Sequence, residues 1–265
     1  METENKKFIK DDETVTMYSC GNYSEIIHCK HNTPPINVKR LTKSQYFDPT
    51  TNQIKKYYSS GTKSLDNFKR QFKTIPRLIR GYFNGDDTER FITLTYSFVM
   101  DNPYKLPYDF KKFIRKIERR YCKCRYIYIK EPNRQGSWHI HSLIKRMDGK
   151  SFDITVETVR SLWTNGYEVS VDIPSNIDSL PYYFDITRTI DKESRIMFYP
   201  SYIKIYGYSK DMKIKKIRGH YKDLKPTESE MKKIYESENN YYSIDPKSGE
   251  IIGQWDTVYE QYKKI

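Results

Sequence analysis

The stretch from Arg125 to Ile144 constrains this chain more than any other. Arg125-Tyr-Ile-Tyr-Ile-Lys-Glu131 and Trp138-His-Ile-His-Ser-Leu-Ile144 are both rich in β-branched and aromatic residues, which suit a pleated, half-buried surface. Pro132-Asn-Arg-Gln-Gly136 lies between them and has the composition of a turn. Two such runs joined by a short Gly-containing link form a β-hairpin. The rest of the chain must fold around it.

Periodicity places the neighbours of that hairpin. Arg90 to Ser97 alternates and reads as a strand. Asp109 to Tyr121 repeats its apolar residues at spacings of 3 and 4 (Phe110, Phe113, Ile114, Ile117, Tyr121), with basic residues on the other face, the pattern of an amphipathic helix. Thr155 to Trp163 is a second helix, stopped by Asn165-Gly166. Tyr167 to Asp172 reads as a strand, and a helix follows Asp178 with Pro181 in its first turn. The order is strand, helix, hairpin, helix, strand, helix. It predicts an α+β fold, a ferredoxin-like antiparallel sheet with helices on one face, leaving the other face for a ligand.

The flanks carry weaker signals. A helix begins near Ser64, with Leu65, Phe68, Phe72, Leu78 and Ile79 on a rough stripe and Pro76 interrupting it. Arg70, Lys73 and other cations are interspersed with that stripe. Glu25 to Cys29 and Tyr202 to Tyr206 read as strands. Thr227-Glu-Ser-Glu230 resembles a capping box opening a short helix. Tyr241 to Trp255 reads as a hairpin across Asp245-Pro-Lys-Ser-Gly249. The domain boundaries expected are 1–62 for an N-terminal extension, 63–215 for the main domain and 216–265 for a C-terminal extension.

Lys and Arg outnumber Asp and Glu by 47 to 34, a net charge of +13. Such an excess favours a polyanionic partner through counterion release and steering. The 25 Tyr and 12 Phe can build a core from few aliphatics and can also stack on bases. No apolar run approaches the ~20 residues of a membrane span, and the start METENKKFIKDDE is polar, so a cytoplasmic protein with reduced thiols is expected. Cys20, His28, Cys29 and His31 form a loose cluster whose spacing matches no zinc template.

His139 and His141 are the sharpest chemical feature. In a strand, residues i and i+2 project from one face about 7 Å apart at Cα, so both imidazoles can reach one metal ion. The facing residues of the preceding strand are Arg125, Ile127, Ile129 and Glu131, so Glu131 can add a carboxylate. Two nitrogens, one oxygen and open positions suit Mg²⁺ or Mn²⁺ acting on a phosphate.

Phe91-Ile-Thr-Leu-Thr-Tyr96, Glu131-Pro-Asn-Arg-Gln-Gly136, Trp138-His-Ile-His141 with Leu143-Ile144, and Trp163 with Gly166-Tyr-Glu-Val169 occur in that order. Together they resemble the HUH-type replication initiators of rolling-circle plasmids and small phages, over roughly residues 65–215. The resemblance implies a divalent metal on the sheet face, held by His139, His141 and Glu131. It also implies a tyrosine that attacks single-stranded origin DNA, giving a 5′-phosphotyrosine link and a free 3′-hydroxyl. The nucleophile falls on the helix after the 167–172 strand, at Tyr183 or Tyr182, with Tyr206 and Tyr202 as rivals. The family's Lys one helical turn after the tyrosine is missing; Arg188 and Lys192 are the nearest bases. Arg70, Lys73, Arg134, Arg188 and Lys210 are candidate DNA contacts. No Gly-x-x-x-x-Gly-Lys-[Ser/Thr] is present, so a host helicase would open the template and a host polymerase would extend the 3′-hydroxyl. The alternatives are a catalytically degenerate DNA-binding module of the same fold, a plasmid mobilisation or transposition nickase, and an RNA-binding protein, which gives no reason for paired His with Glu131.

Overall fold

The computed structural model describes residues 9–31, 39–42, 45–49, 51–56, 65–166, 169–174, 198–244 and 251–265. The chain divides into two compact units. One comprises residues 60–213; the other joins residues 1–59 to 214–265. The first five strands are β1 (Thr14–Cys20), β2 (Tyr23–His31), β3 (Lys39–Arg40), β4 (Gln45–Asp48) and β5 (Gln53–Lys56). Then come α1 (Leu65–Phe72), α2 (Thr74–Tyr82), β6 (Glu89–Leu94), α3 (Leu106–Arg120), β7 (Cys124–Pro132) and β8 (Trp138–Arg146). They are followed by α4 (Val156–Leu162), β9 (Val169–Asp172) and β10 (Tyr206–Tyr208). The last elements are β11 (Lys215–His220), α5 (Tyr221–Leu224), β12 (Met231–Ile244) and β13 (Ile251–Lys264).

The unit of residues 60–213 is built on an antiparallel sheet of order β10-β7-β8-β6-β9. The run β6, α3, β7–β8 hairpin, α4, β9 is the ferredoxin-like α+β plan, and β10 extends it at the β7 edge. Helices α3 and α4 cover one face. Phe110 packs on Tyr126 and Tyr128 with ring centroids 5.4 and 4.4 Å apart, and Trp163, just past α4, meets Phe113 and Tyr96 edge-on. Thr155 caps α4, its hydroxyl accepting from the Thr158 N–H at 3.2 Å.

Ile127, Ile129 and Leu143 point to the other face and are buried as well. Helix α2 reaches over that face: the Arg125 guanidinium lies 4.8 Å from the Tyr82 ring centroid, and Thr74 hydrogen-bonds Tyr206. Pro76 sits in the first turn of α2, where a missing N–H does no harm; the chain breaks at Lys73, so the interruption expected at Pro76 comes three residues earlier.

In the second unit the two chain ends share a sheet of order β11-β1-β2-β13-β12. One face is apolar, a cluster of Ile9, Val15, Ile26, Tyr221, Val258 and Tyr262. β3, β4 and β5 form a separate three-stranded sheet.

Three local expectations differ from the structure. The strand expected over 202–206 appears at Tyr206–Tyr208, because a turn bond from the Ile203 N–H to Pro200 occupies the start of that stretch, and the Ile205 N–H bonds Gln71 Oε1. Thr227–Glu230 forms a turn, not a helix: Met231 opens a strand paired as far as Ile244, and long-range pairing overrides the local capping signal. The nearby helix α5 precedes that segment. The hairpin expected over 241–255 is real but much longer, pairing Met231 with Lys264.

Candidate metal centre

The register of β7 with β8 sets Glu131 opposite His139 and Ile129 opposite His141. Alternation along β8 sends both imidazoles to one face and buries Ile140 and Ser142 on the other. His139 Nε2 and His141 Nε2 lie 3.0 Å apart. A carboxylate oxygen of Glu131 lies 3.2 Å from His141 Nε2. All three donor atoms fall within 4.8 Å of one another. The three side chains are half-buried.

Neighbouring elements hold this arrangement. The turn joining the two strands is closed by Asn133, whose Oδ1 accepts from the N–H groups of Gln135 and Ser137 at 3.0 and 2.9 Å. Gly136 has φ +81°, a conformation that disfavours any side chain. The Trp138 N–H donates to Met100 O at 2.8 Å, tying the loop after β6 to the start of β8. On the β6 side, Thr93 pairs with His141, and its hydroxyl lies 3.0 Å from His141 Nδ1. The Phe91 ring stacks near that imidazole, 5.9 Å between centroids and 15° from parallel. Sequence reading treated Thr93 as a DNA contact or a cross-strand partner; its contact with His141 depends on the register between β6 and β8, which no local pattern states.

The donor set fits a divalent cation. Two imidazole nitrogens and one carboxylate converge from one side, and the remaining coordination positions would be left for water or phosphate. Thr93 on Nδ1 leaves Nε2 for the ion, the usual role of a second contact on a ligating His.

The other residues singled out from the sequence are dispersed. Arg134 is exposed in the turn that joins Glu131 to His139. Arg70 in α1 and Lys73 at its junction with α2 are exposed. Lys210 is exposed just beyond β10, toward the end of the sheet away from Glu131, since Tyr208 pairs with Ile127. Tyr182, Tyr183 and Arg188 lie outside the described residues. Of the rival tyrosines, Tyr202 is 92% exposed whereas Tyr206 is 8% exposed, and burial raises the Tyr206 hydroxyl above its ordinary range. A buried, reluctantly ionised phenol under α2 is a poor nucleophile for DNA. Of the loose Cys/His set, His28 and Cys29 are adjacent on β2 and so face opposite ways; His28 stands 3.8 Å from Glu13.

Trp163 and Gly166, parts of the family-like pattern, have structural work. The indole N–H of Trp163 donates to Thr95 O at 2.9 Å. A Cβ at Gly166 would stand 2.1 Å from that same carbonyl oxygen, so only glycine allows the approach. Both contacts fix the chain two residues beyond Thr93.

No curated protein and no solved structure is similar enough to match. Residues 89–185 match the replication-associated protein family of the ORF2/gene II protein type. That segment runs from β6 past Tyr183 and contains Glu131, His139 and His141, and its match supports reading the chain as a replication initiator.

Proposed function

We propose that the chain is a metal-dependent endonuclease of the HUH type, which nicks single-stranded origin DNA to start rolling-circle replication. The observation that carries this is the convergence of Glu131, His139 and His141 within 4.8 Å inside the segment matched to a replication-associated family. In this reading the three side chains hold Mg²⁺ or Mn²⁺, which when bound polarises the scissile phosphate and neutralises charge developing on it. Thr93 keeps the His141 ring oriented. Arg134 at the hairpin turn, with Arg70, Lys73, Arg188 and Lys210, supplies phosphate contacts that position the strand.

Tyr183, with Tyr182 as alternate, is the nucleophile. Its oxygen forms a bond to phosphorus as the bond from phosphorus to the 3′ oxygen breaks. The phenolic proton is lost and the leaving 3′ oxygen gains one. The 5′-phosphotyrosine conserves the bond for rejoining, and the 3′-hydroxyl serves a host polymerase while a host helicase opens the template. No helix among the described residues is long and apolar enough to cross a membrane, and the reading puts the protein in the cytoplasm with plasmid or phage DNA. The same chemistry would serve plasmid mobilisation or transposition.

The missing Lys after Tyr183 favours one other reading, a catalytically degenerate DNA-binding module. Incubation with circular single-stranded DNA and Mn²⁺ separates them. The nuclease gives a protein–DNA adduct that survives SDS and maps to Tyr183. An adduct on Tyr182, Tyr202 or Tyr206 changes the residue and keeps the reaction. DNA binding with no adduct and no nicked product establishes the binding module.

A further inference from the structure

The sheet that joins the chain ends has two unlike faces. Its register puts Arg218, Thr16, Ile27, Tyr259 and Ser237 in one cross-strand row. The adjoining row on the same face runs Lys216, Tyr18, Glu25, Gln261, Tyr235. Farther along the hairpin, Tyr241 pairs with Trp255, their rings stacked at 5.7 Å and 16°. Lys216 Nζ lies 5.7 Å from the Tyr18 ring centroid. Lys216, Arg218, Lys232 and Lys263 are exposed on this face, as are Tyr235 at 50% and Tyr241 at 45%.

Charge is segregated between the faces. Of the side chains that the register puts on the aromatic face, the single carboxylate is Glu25. It is buried and accepts hydrogen bonds from the hydroxyls of Tyr259 at 2.6 Å and Tyr23 at 3.2 Å. Glu236, Glu238, Asp256 and Glu260 all fall on the opposite, core-bearing face. Exposed cations with no exposed carboxylate among them form a surface for a polyanion. Aromatic rings set between those cations suit one polyanion in particular, a strand whose bases are free to stack. In a duplex the base faces are already occupied by one another.

We infer that this face is a second nucleic-acid-binding surface, taking single-stranded DNA along the β11-β1-β2-β13-β12 sheet separately from the metal centre. Cations on β11 and at the β12–β13 end hold phosphates, and the Tyr241–Trp255 pair offers a stacking platform. A nickase could use it to retain a displaced strand. The inference itself does not depend on nicking, because neither metal nor phosphotyrosine enters it.

The test uses the full chain, a short oligothymidylate and EDTA, so that no nicking intrudes. The chain has three tryptophans; Trp138 and Trp163 are buried at 2% and 1% exposure, whereas Trp255 is half-buried on this face. Oligothymidylate should therefore quench intrinsic fluorescence, and Trp255→Phe should abolish most of the quenching. Lys216→Glu with Arg218→Glu, and separately Tyr241→Ala, should each weaken binding by about tenfold or more. The control pair Lys30→Glu with Lys222→Glu reverses two exposed charges elsewhere in this unit and should weaken it much less. Circular dichroism checks the fold; if Tyr241→Ala unfolds, the exposed Lys216 and Arg218 pair still decides. Unchanged affinity in that pair, equal loss in the control pair, quenching that persists in Trp255→Phe, or tighter binding of a duplex of the same length would each overturn the inference. A failed nicking assay would leave it standing.

Discussion

The Thr93 hydroxyl lies 3.0 Å from Nδ1 of His141, and this contact decides which nitrogen of the ring faces Glu131 and His139. Because β6 pairs with β8 so that Thr93 is directly opposite His141, the oxygen arrives along the sheet and Nε2 is left toward the other two donors. Thr93→Val keeps the shape and β preference of the residue and removes the oxygen. Removing such an outer partner typically lowers metal affinity about 10–100-fold. Mn²⁺ titration followed by electron paramagnetic resonance should show that drop with an unchanged circular dichroism spectrum. Wild-type affinity in the variant would remove Thr93 from the site.

Glu131 makes the second prediction. Its carboxylate sits 3.2 Å from His141 Nε2 and brings the negative charge of the donor set. Glu131→Gln keeps the size and loses that charge, so divalent-ion binding and nicking should both fall steeply while thermal unfolding shifts little. The same holds for His141→Ala, since the half-buried imidazole holds an ion rather than filling a core. Full nicking in EDTA would defeat both expectations.

The grouping of Glu131, His139 and His141 was legible because it is local: two alternating runs, one short turn, and strand parity. Thr93 was not, because its contact depends on register between strands some 48 positions apart in sequence. The same limit explains the chain ends. Pairing of Trp255 with His31 joins segments that the sequence treats as two separate extensions, and no local pattern reports such a partner. Thr227–Glu230 shows the converse, a clear local signal overruled by a strand formed just beyond it. Hydrophobic spacing is written within one segment; cross-strand register is a property of two.

Gly166 gives a stability prediction. A Cβ there would stand 2.1 Å from Thr95 O and 2.9 Å from Ser97 N. Those atoms are backbone and already committed, Thr95 O to the Trp163 indole and Ser97 N to Asn165 O. Gly166→Ala must therefore push α4 and the chain after β6 apart, a destabilisation of roughly 1–3 kcal/mol by the overpacking scale. A lower urea midpoint with unchanged slope is the expected readout, and an unchanged midpoint would show that the approach is not as close as described.

Tyr259 predicts an alkaline transition. Burial first, then the adjacent Glu25 carboxylate, pushes its hydroxyl from 10.0 up to about 12. The folded protein thus holds this proton more tightly than the unfolded chain does. Its contribution to stability is full below pH 10 and is lost as pH rises toward about 12. In Tyr259→Phe that particular loss disappears, so the fall in urea midpoint between these pH values should be shallower than in the parent. An identical alkaline slope would mean that Tyr259 ionises as freely folded as unfolded.

Arg134 separates positioning from reading in the DNA interface. It is exposed in the turn that carries Glu131 into His139, so a strand bound at the metal centre passes beside it. A guanidinium there meets the sugar–phosphate backbone, which is the same in every sequence. Arg134→Ala should accordingly weaken origin and non-origin single strands by the same factor. Each phosphate that the protein no longer neutralises lowers the slope of log affinity against log salt by about 0.7 for single strands, so the variant's slope should fall by roughly that amount. Anisotropy titrations at several salt concentrations measure both quantities. A loss confined to the origin sequence would make Arg134 a base-reading residue instead, and an unchanged slope would place the strand away from the hairpin turn.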